Sequence, residues 1–324
     1  MSNSGMNGDT GVYPWLTSHW AFFNKRLNAD RLAHALLIQG PAGNGKTQLG
    51  RAMVNRLLCR KDLEQACGEC RSCKLLLGEA HPDFFDLQPE EDSEVIKVDQ
   101  VRNLIGKLDL TTSVSLRKVA YIHPAEAMNA AAANALLKSL EEPNGNAVLI
   151  LVSDNPASLP VTIRSRCQHI TVSQPSAERV LEWLESVSSE SREQLRAVLQ
   201  AAGGSPLRAQ QFLDSPVTDA YAQVRGALVS LLGSPASVSM YNAQLGELPP
   251  ADLWRWLSMY MAELIKSRMS GQSTGGIPSN LNLDDKNLLQ LQQKADVNRR
   301  LSKTQVRADL LLQDWLIKWA EQIL

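Results

Sequence analysis

The amino-acid sequence predicts an α/β domain built on a parallel sheet, followed by an all-α region. Three observations carry that prediction. Gly40-Pro-Ala-Gly43-Asn-Gly45-Lys46-Thr47 fits the G-x-x-x-x-G-K-[ST] pattern of a phosphate-cradling P-loop. Short apolar runs alternate with helical periodicities to about residue 170, as parallel strands joined by crossover helices do. Beyond that point no convincing strand occurs, and the apolar residues keep helical spacing. At 324 residues the chain exceeds one compact core, so two or three domains are expected.

Composition narrows the function classes. Hydrophobic residues at 44% and charged residues at 21% describe an ordinary folded protein. Lys+Arg at 33 against Asp+Glu at 34 gives a net charge of −1, without the global basic excess of a nucleic-acid binder. Residues 1–12 are polar and glycine-rich and read as a disordered tail, lacking the charged start and apolar core of a signal peptide. No apolar run reaches membrane-spanning length. No membrane partner and a cytoplasmic location are therefore expected, where thiols stay reduced. The five cysteines then call for a metal or catalytic role and not for disulfides.

Taken in order, Tyr13-Pro-Trp-Leu16 opens the ordered part and 20–27 reads as helix. His34-Ala-Leu-Leu-Ile38 is a buried strand leading into the P-loop. Leu49, Met53, Val54, Leu57 and Leu58 then recur at helical spacing, so Gly40, Gly43 and Gly45 sit on a strand-to-helix turn. Such a turn aims backbone N–H groups and a helix N-terminus at an anion. Lys46 is placed to reach the β- and γ-phosphates of ATP or ADP, and Thr47 to ligate Mg²⁺. The alternative, a chance glycine turn, does not account for strand, loop and helix in register.

Cys59, Cys67, Cys70 and Cys73 follow as C-x7-C-x2-C-x2-C, over about 59–73. Four thiolates this close make a closed tetrahedral site for structural Zn²⁺, with no open position for chemistry. Buried free thiols are the alternative, but they rarely come in paired C-x2-C steps. A second strand is read over 81–87, and a helix capped by Asp99 with the stripe Val101, Leu104, Ile105 and Leu108. The third strand spans 117–122. The alanine-rich helix over 129–140 ends at Glu141-Glu142-Pro143. Residues 147–152 form an uninterrupted apolar strand of the kind buried on both faces, and 168–172 a last one.

Ser176 is expected to cap a helix over Ala177–Val187, with others over 191–201 and from Gly203-Gly204-Ser205-Pro206 onward. Past Asp214-Ser-Pro216 come longer amphipathic helices, including 251–267 and 303–323, separated by a flexible Gly- and Ser-rich loop over 271–278. Trp254, Trp256, Trp315 and Trp319 on these helices read as core or subunit interface, not as a cofactor box.

The apparatus for cleaving the γ-phosphate is incomplete. A P-loop NTPase needs a second strand ending in carboxylates that hold Mg²⁺ and orient water. Here the candidate strand Val119-Ala-Tyr-Ile122 ends in His123-Pro124. Neutral imidazole is a poor ligand for Mg²⁺, which prefers hard oxygens, and proline offers none. Glu126, three residues along, is expected to point elsewhere. General-base catalysis alone is worth on the order of 10²–10⁴ in rate, so hydrolysis is expected to be negligible.

Asn134-Ala-Leu-Leu-Lys138-Ser-Leu-Glu141-Glu142-Pro143 resembles the N-A-L-L-K-x-L-E-E-P helix of bacterial clamp-loader ATPases. Thr162-Ile163-Arg164-Ser165-Arg166-Cys167 resembles their S-R-C motif, and Gly203-Gly204-Ser205-Pro206-Leu-Arg208 their sensor-2 helix. The four-cysteine insertion matches the family's zinc module. The likeness covers 13 to about 213 and is weaker beyond. It implies an AAA+ domain over 13–170, a three-helix lid over 171–213 and a helical collar over 214–324. It also implies a five-subunit ring with gamma/tau and delta subunits that loads a sliding clamp onto primed DNA. That ring belongs to a DNA-directed DNA polymerase holoenzyme, a nucleotidyltransferase. With its degraded acidic strand the chain looks like the family's non-hydrolysing subunit, inactive alone, whose Arg166 enters a neighbour's ATP site as an arginine finger. Arg166 in a weak surface ion pair is the alternative reading. Arg208 is expected at this chain's own site, where simple packing would serve equally. The complete P-loop departs from some non-hydrolysing members and leaves nucleotide binding open.

Three rivals are distinguishable. An active motor subunit of the same loader needs a carboxylate where His123 stands. A stand-alone P-loop kinase needs an acceptor site and an arginine-rich lid, which the long helical C-terminus does not offer. A zinc-dependent DNA-binding module needs more net positive charge than Arg60, Lys61, Arg71 and Lys74 provide against Asp62, Glu64 and Glu69.

Overall fold

Short runs of Leu, Ile, Val and aromatic residues form the strands, and the amphipathic segments between them form the helices that cover the sheet. The computed structural model describes residues 11–61, 63–91, 93–142, 145–213, 217–270, 283–302, 304 and 306–323. Residues 1–10, Asp62, Pro143, Asp214-Ser-Pro216, the loop over 271–278 and Lys303 lie outside them, while Val12, read as the end of a disordered tail over 1–12, is buried in the core.

In chain order the elements are α1 (Thr17–Asn28), β1 (Ala35–Gln39), α2 (Lys46–Leu58), α3 (Arg71–Leu77), β2 (Phe84–Leu87), α4 (Val98–Leu108) and β3 (Lys118–Ile122). Then come α5 (Ala130–Glu141), β4 (Ala147–Ser153), α6 (Val161–Arg164), β5 (Gln168–Thr171), α7 (Ala177–Val187), α8 (Arg192–Ala201) and α9 (Pro206–Phe212). The remainder is α10 (Val217–Gly233), α11 (Val238–Gly246), α12 (Pro250–Ser270), α13 (Asp285–Leu301) and α14 (Ala308–Ala320). Among the described residues the chain divides into two compact units. One holds the residues to Leu195 together with Gly204–Gln210; the other holds Arg196–Gly203 and the residues from Gln211 onward.

In the first unit the sheet is five-stranded, ordered β2-β3-β4-β1-β5, and every pairing is parallel. All of β3 and all of β4 are buried, as strands covered on both faces must be. One face packs on α4 and α5 through Val101, Leu104, Leu108, Ala132, Leu136 and Leu140, with Ile105 at the margin. Ile122 stands opposite Leu151, and Ser153 opposite Gln39. The residues that follow, His123, Asp154 and Gly40, therefore leave the sheet at one edge. That edge is the carboxyl end of the strands, where open α/β sheets bind ligands.

Four sequence expectations shift. The strand read from residue 81 starts at Phe84, whose N–H donates to His81 O at 3.2 Å in a turn. Asp99 does not cap α4. Lys97 holds the cap position, Gln100 Oε1 reaches back to its N–H at 2.8 Å, and Asp99 sits in the first turn. Ser176 occupies the cap position of α7 without a side-chain cap bond. The last helix starts at Ala308, not 303, because Thr304 turns back to close α13: its N–H and hydroxyl both donate to Leu301 O, at 2.9 and 2.7 Å.

The second unit is helical, and its tryptophans are core. Trp254, Trp256, Trp315 and Trp319 are each no more than 1% exposed. Three of them satisfy the indole N–H on a carbonyl: Trp256 on Ala201 at 2.9 Å, Trp315 on Leu291 at 2.9 Å and Trp319 on Leu228 at 2.8 Å. No helix among the described residues is long and apolar enough to cross a membrane.

Candidate functional site

The P-loop turns from β1 into α2. Gly43 and Gly45 adopt φ of 77° and 85°, left-handed values that favour glycine. Their hydrogens are also forced by packing. A Cβ on Gly43 would stand 2.1 Å from Ser205 Oγ, and one on Gly45 2.8 Å from the Tyr13 ring. Gly40, at the end of β1, passes against Val172 O in the same way. The loop is buttressed from two sides. Trp15 Nε1 donates to Asn44 O at 2.9 Å, and Leu207 N–H donates to Gly43 O at 3.1 Å. Arg208, half-buried, follows in the first turn of α9 beside the loop.

Lys46 opens α2 with its side chain buried, Nζ donating to Pro41 O at 2.6 Å and pairing with Asp154 Oδ1 at 2.6 Å. Thr47 Oγ1 lies 3.1 Å from His123 Nε2, and the Tyr121 hydroxyl donates to Thr47 O at 3.1 Å. Both polar atoms of the Asn44 carboxamide are buried without a hydrogen-bond partner among the described residues. The N-terminus of α2, which has no side-chain cap, the Lys46 ammonium, the Thr47 hydroxyl and the orphaned Asn44 amide together fit a phosphate group.

The hydrolytic half does not fit. His123 stands where a carboxylate is needed, and burial lowers its pKa below the ordinary histidine range, so the ring is neutral. Glu126 turns away, its Oε1 accepting the N–H groups of Asp154 and Asn155 at 2.9 and 3.0 Å. Asp86, at the edge strand, pairs with Arg51, which lies over the Tyr121 ring.

Cys59, Cys67, Cys70 and Cys73 converge, their sulfurs all within 4.8 Å of one another. Cys59 Sγ is 3.6 Å from Cys67 Sγ, and Cys67 Sγ is 3.9 Å from Cys73 Sγ. Sulfurs of a tetrahedral site with Zn–S near 2.3 Å stand about 3.8 Å apart. Backbone N–H groups of Cys67, Cys70 and Cys73 point at the preceding sulfurs at 3.4, 3.4 and 3.5 Å. Burial alone would raise the Cys70 thiol, but N–H donors from Arg60 and Cys73 outweigh it and bring it to about 6. This cluster can hold a metal ion. Beneath it His81, Ser72 and Ser115 share a buried hydrogen-bonded cluster, with His81 Nε2 at 2.8 and 3.0 Å from the two hydroxyls. His81 Nδ1 accepts the Asp83 N–H at 3.1 Å, so Nε2 carries the proton and cannot serve as a base for either serine.

Arg166 follows α6, its guanidinium paired with Glu141 Oε1 at 2.6 Å and donating to Thr162 O at 2.9 Å. Its side chain remains 35% exposed. The P-loop with His123, the four thiols and Arg166 are three separate places on the α/β unit.

The family model described as "DNA polymerase III, delta subunit" matches residues 16–176. The delta-prime subunit of DNA polymerase III from Pseudomonas aeruginosa is 37% identical, covering 95% of this chain and 97% of that protein. The chain belongs to the delta-prime family. The Escherichia coli delta-prime subunit is 33% identical over 78% of this chain and 76% of its own length. A gamma subunit-related protein from Thermotoga maritima, of known structure, aligns over 95% of this chain and 99% of its own at 16% identity and a TM-score of 0.46. The five-stranded, all-parallel sheet with its P-loop between β1 and α2 is the α/β fold class that the sequence predicted for this part of the chain.

Two residues that meet at the P-loop escaped sequence reasoning. Asp154 follows an apolar strand, where a carboxylate next to a P-loop strand is a readable signal. Only the β1–β4 pairing, however, places it at Lys46. Asn44 lies inside the motif at a position the pattern leaves free.

Proposed function

We propose that this chain is the non-hydrolysing subunit of the DNA polymerase III clamp loader. In this reading the AAA+ domain grips ATP or ADP with Lys46 and Thr47, Mg²⁺ on Thr47, and Arg208 at the rim, without turning it over. The observation that carries it is the end of β3, where a neutral His123 meets Thr47 Oγ1 at 3.1 Å in place of the magnesium-holding acid. Bound nucleotide would supply no chemistry here; the residues present only hold it.

Zn²⁺ on Cys59, Cys67, Cys70 and Cys73 would fix the insertion between α2 and β2. A closed four-thiolate shell leaves it no catalytic position. Arg166 acts in trans. Its ion pair with Glu141 is surface-exposed and worth about 0–1 kcal/mol, whereas an arginine finger is worth on the order of 10³–10⁵ in rate. Releasing the arginine to a neighbouring gamma/tau site therefore costs little against what it contributes. The lid over 171–213 and the collar over 214–324 would seat the chain beside gamma/tau and delta in a five-subunit ring that loads the sliding clamp onto primed DNA.

The test is ATP turnover by the purified chain, alone and then with gamma/tau and delta. Negligible turnover alone and a rise on assembly are expected. Turnover at a motor's pace by the chain alone would overturn the reading.

A further inference from the structure

We infer that Asp154 is a resident anion of the P-loop, competing with phosphate for Lys46 and biasing the cradle toward nucleotides of lower charge. The inference rests on the nucleotide-holding part of the function proposed above.

An ammonium has three donors. Lys46 Nζ directs one at Pro41 O and one at Asp154 Oδ1, each at 2.6 Å, leaving one for a ligand. The pair is asymmetric: the Lys46 side chain is 2% exposed and that of Asp154 51%. A carboxylate therefore covers the solvent side of a buried cation. Its place is set by the backbone, because Glu126 Oε1 holds the N–H groups of Asp154 and Asn155 at the end of β4. That strand end is fixed in turn by the pairing of Ser153 with Gln39.

An incoming phosphate must take the remaining donor beside a carboxylate, or displace that carboxylate. Either way it meets like-charge repulsion that grows with its own charge, so a triphosphate is disfavoured more than a diphosphate. Asp154→Asn removes the charge and leaves the backbone anchor from Glu126 in place.

The experiment is calorimetric titration of the full chain with ADP and with ATP, each in Mg²⁺ and in EDTA. The proteins are wild type, Asp154→Asn and Lys46→Ala, with Asp154→Ser as a second charge removal and thermal melts to confirm folding. Asp154→Asn is expected to tighten ATP on the order of tenfold and ADP less, with and without Mg²⁺. Lys46→Ala is expected to abolish binding. Unchanged ATP affinity in Asp154→Asn would overturn the inference while leaving the cradle standing. Affinity lost only in Mg²⁺ would overturn it too, by making Asp154 a metal ligand in place of the absent β3 acid. If neither wild type nor the charge-removed variants bind nucleotide, the cradle itself fails.

Discussion

Replacing Arg166 with alanine separates a finger from an ornament on the surface. Among the described residues Arg166 pairs with Glu141 Oε1 at 2.6 Å and donates to Thr162 O at 2.9 Å. The two partners of the ion pair are 35% and 49% exposed, so solvent screens them, and the stability at stake is about 0–1 kcal/mol. Urea unfolding of Arg166→Ala should therefore match wild type within about 1 kcal/mol, with an unchanged slope. Assembly with gamma/tau and delta, followed by size-exclusion chromatography, should be intact. Turnover at the neighbouring site should instead fall by on the order of 10³ or more, and total turnover by at least that site's share. Glu141→Gln, which frees the arginine but keeps it, should retain most of the activity. Wild-type ATPase in the assembled Arg166→Ala complex would refute the finger, and lost assembly would make Arg166 an interface residue instead.

Three further outcomes concern the cysteine insertion and its base. Asp83 is fully buried, and its carboxylate accepts the N–H groups of Ser113, Val114 and Ser115 at 2.7, 2.7 and 2.8 Å. Asp83→Ala should cost about 3–5 kcal/mol in urea unfolding, since charge-assisted bonds are worth roughly 1.5–3 kcal/mol each and do not add fully. A loss under about 1 kcal/mol would show that the loop reorganises without its acceptor. Burial would raise the Asp83 pKa, but the three donors outweigh it and hold it below the ordinary value. Its stabilisation is thus complete above the unfolded aspartate pKa of about 3.9 and is lost as pH falls below that. The wild-type stability curve should drop there more steeply than that of Asp83→Ala. Cys70→Ser should release a metal ion that wild type carries at one per chain and expose the insertion to limited proteolysis, leaving nucleotide binding unchanged. Wild type purified without metal, its insertion intact, would count against zinc.

How much was legible can be stated residue by residue. The P-loop lies within eight positions, Gly40 to Thr47, and the cysteine motif within fifteen, Cys59 to Cys73. Both are local, because tight turns and tetrahedral knuckles require particular residues at fixed short spacings. The strands of the sheet and the stripe of α4 were readable for the same reason, since period and apolar content depend on nearest neighbours in sequence. The helix caps were less so: whether Asp99 or Gln100 supplies the side-chain acceptor at the start of α4 depends on rotamers that no pattern fixes.

By itself, then, the sequence determined the cradle, the thiol cluster, the alternation of strand and helix, and the missing acid after Ile122, all of them properties of contiguous residues. Only the tertiary structure decided that Asp154 caps Lys46, that His123 reaches Thr47, that Arg166 rests on Glu141 and that the tryptophans are core. These are meetings between distant segments, set by parallel strand order and register. In a parallel sheet every strand ends at the same edge as its neighbours, but which strand lies beside which is a matter of packing. The identity of Lys46's partner therefore had to wait for the fold.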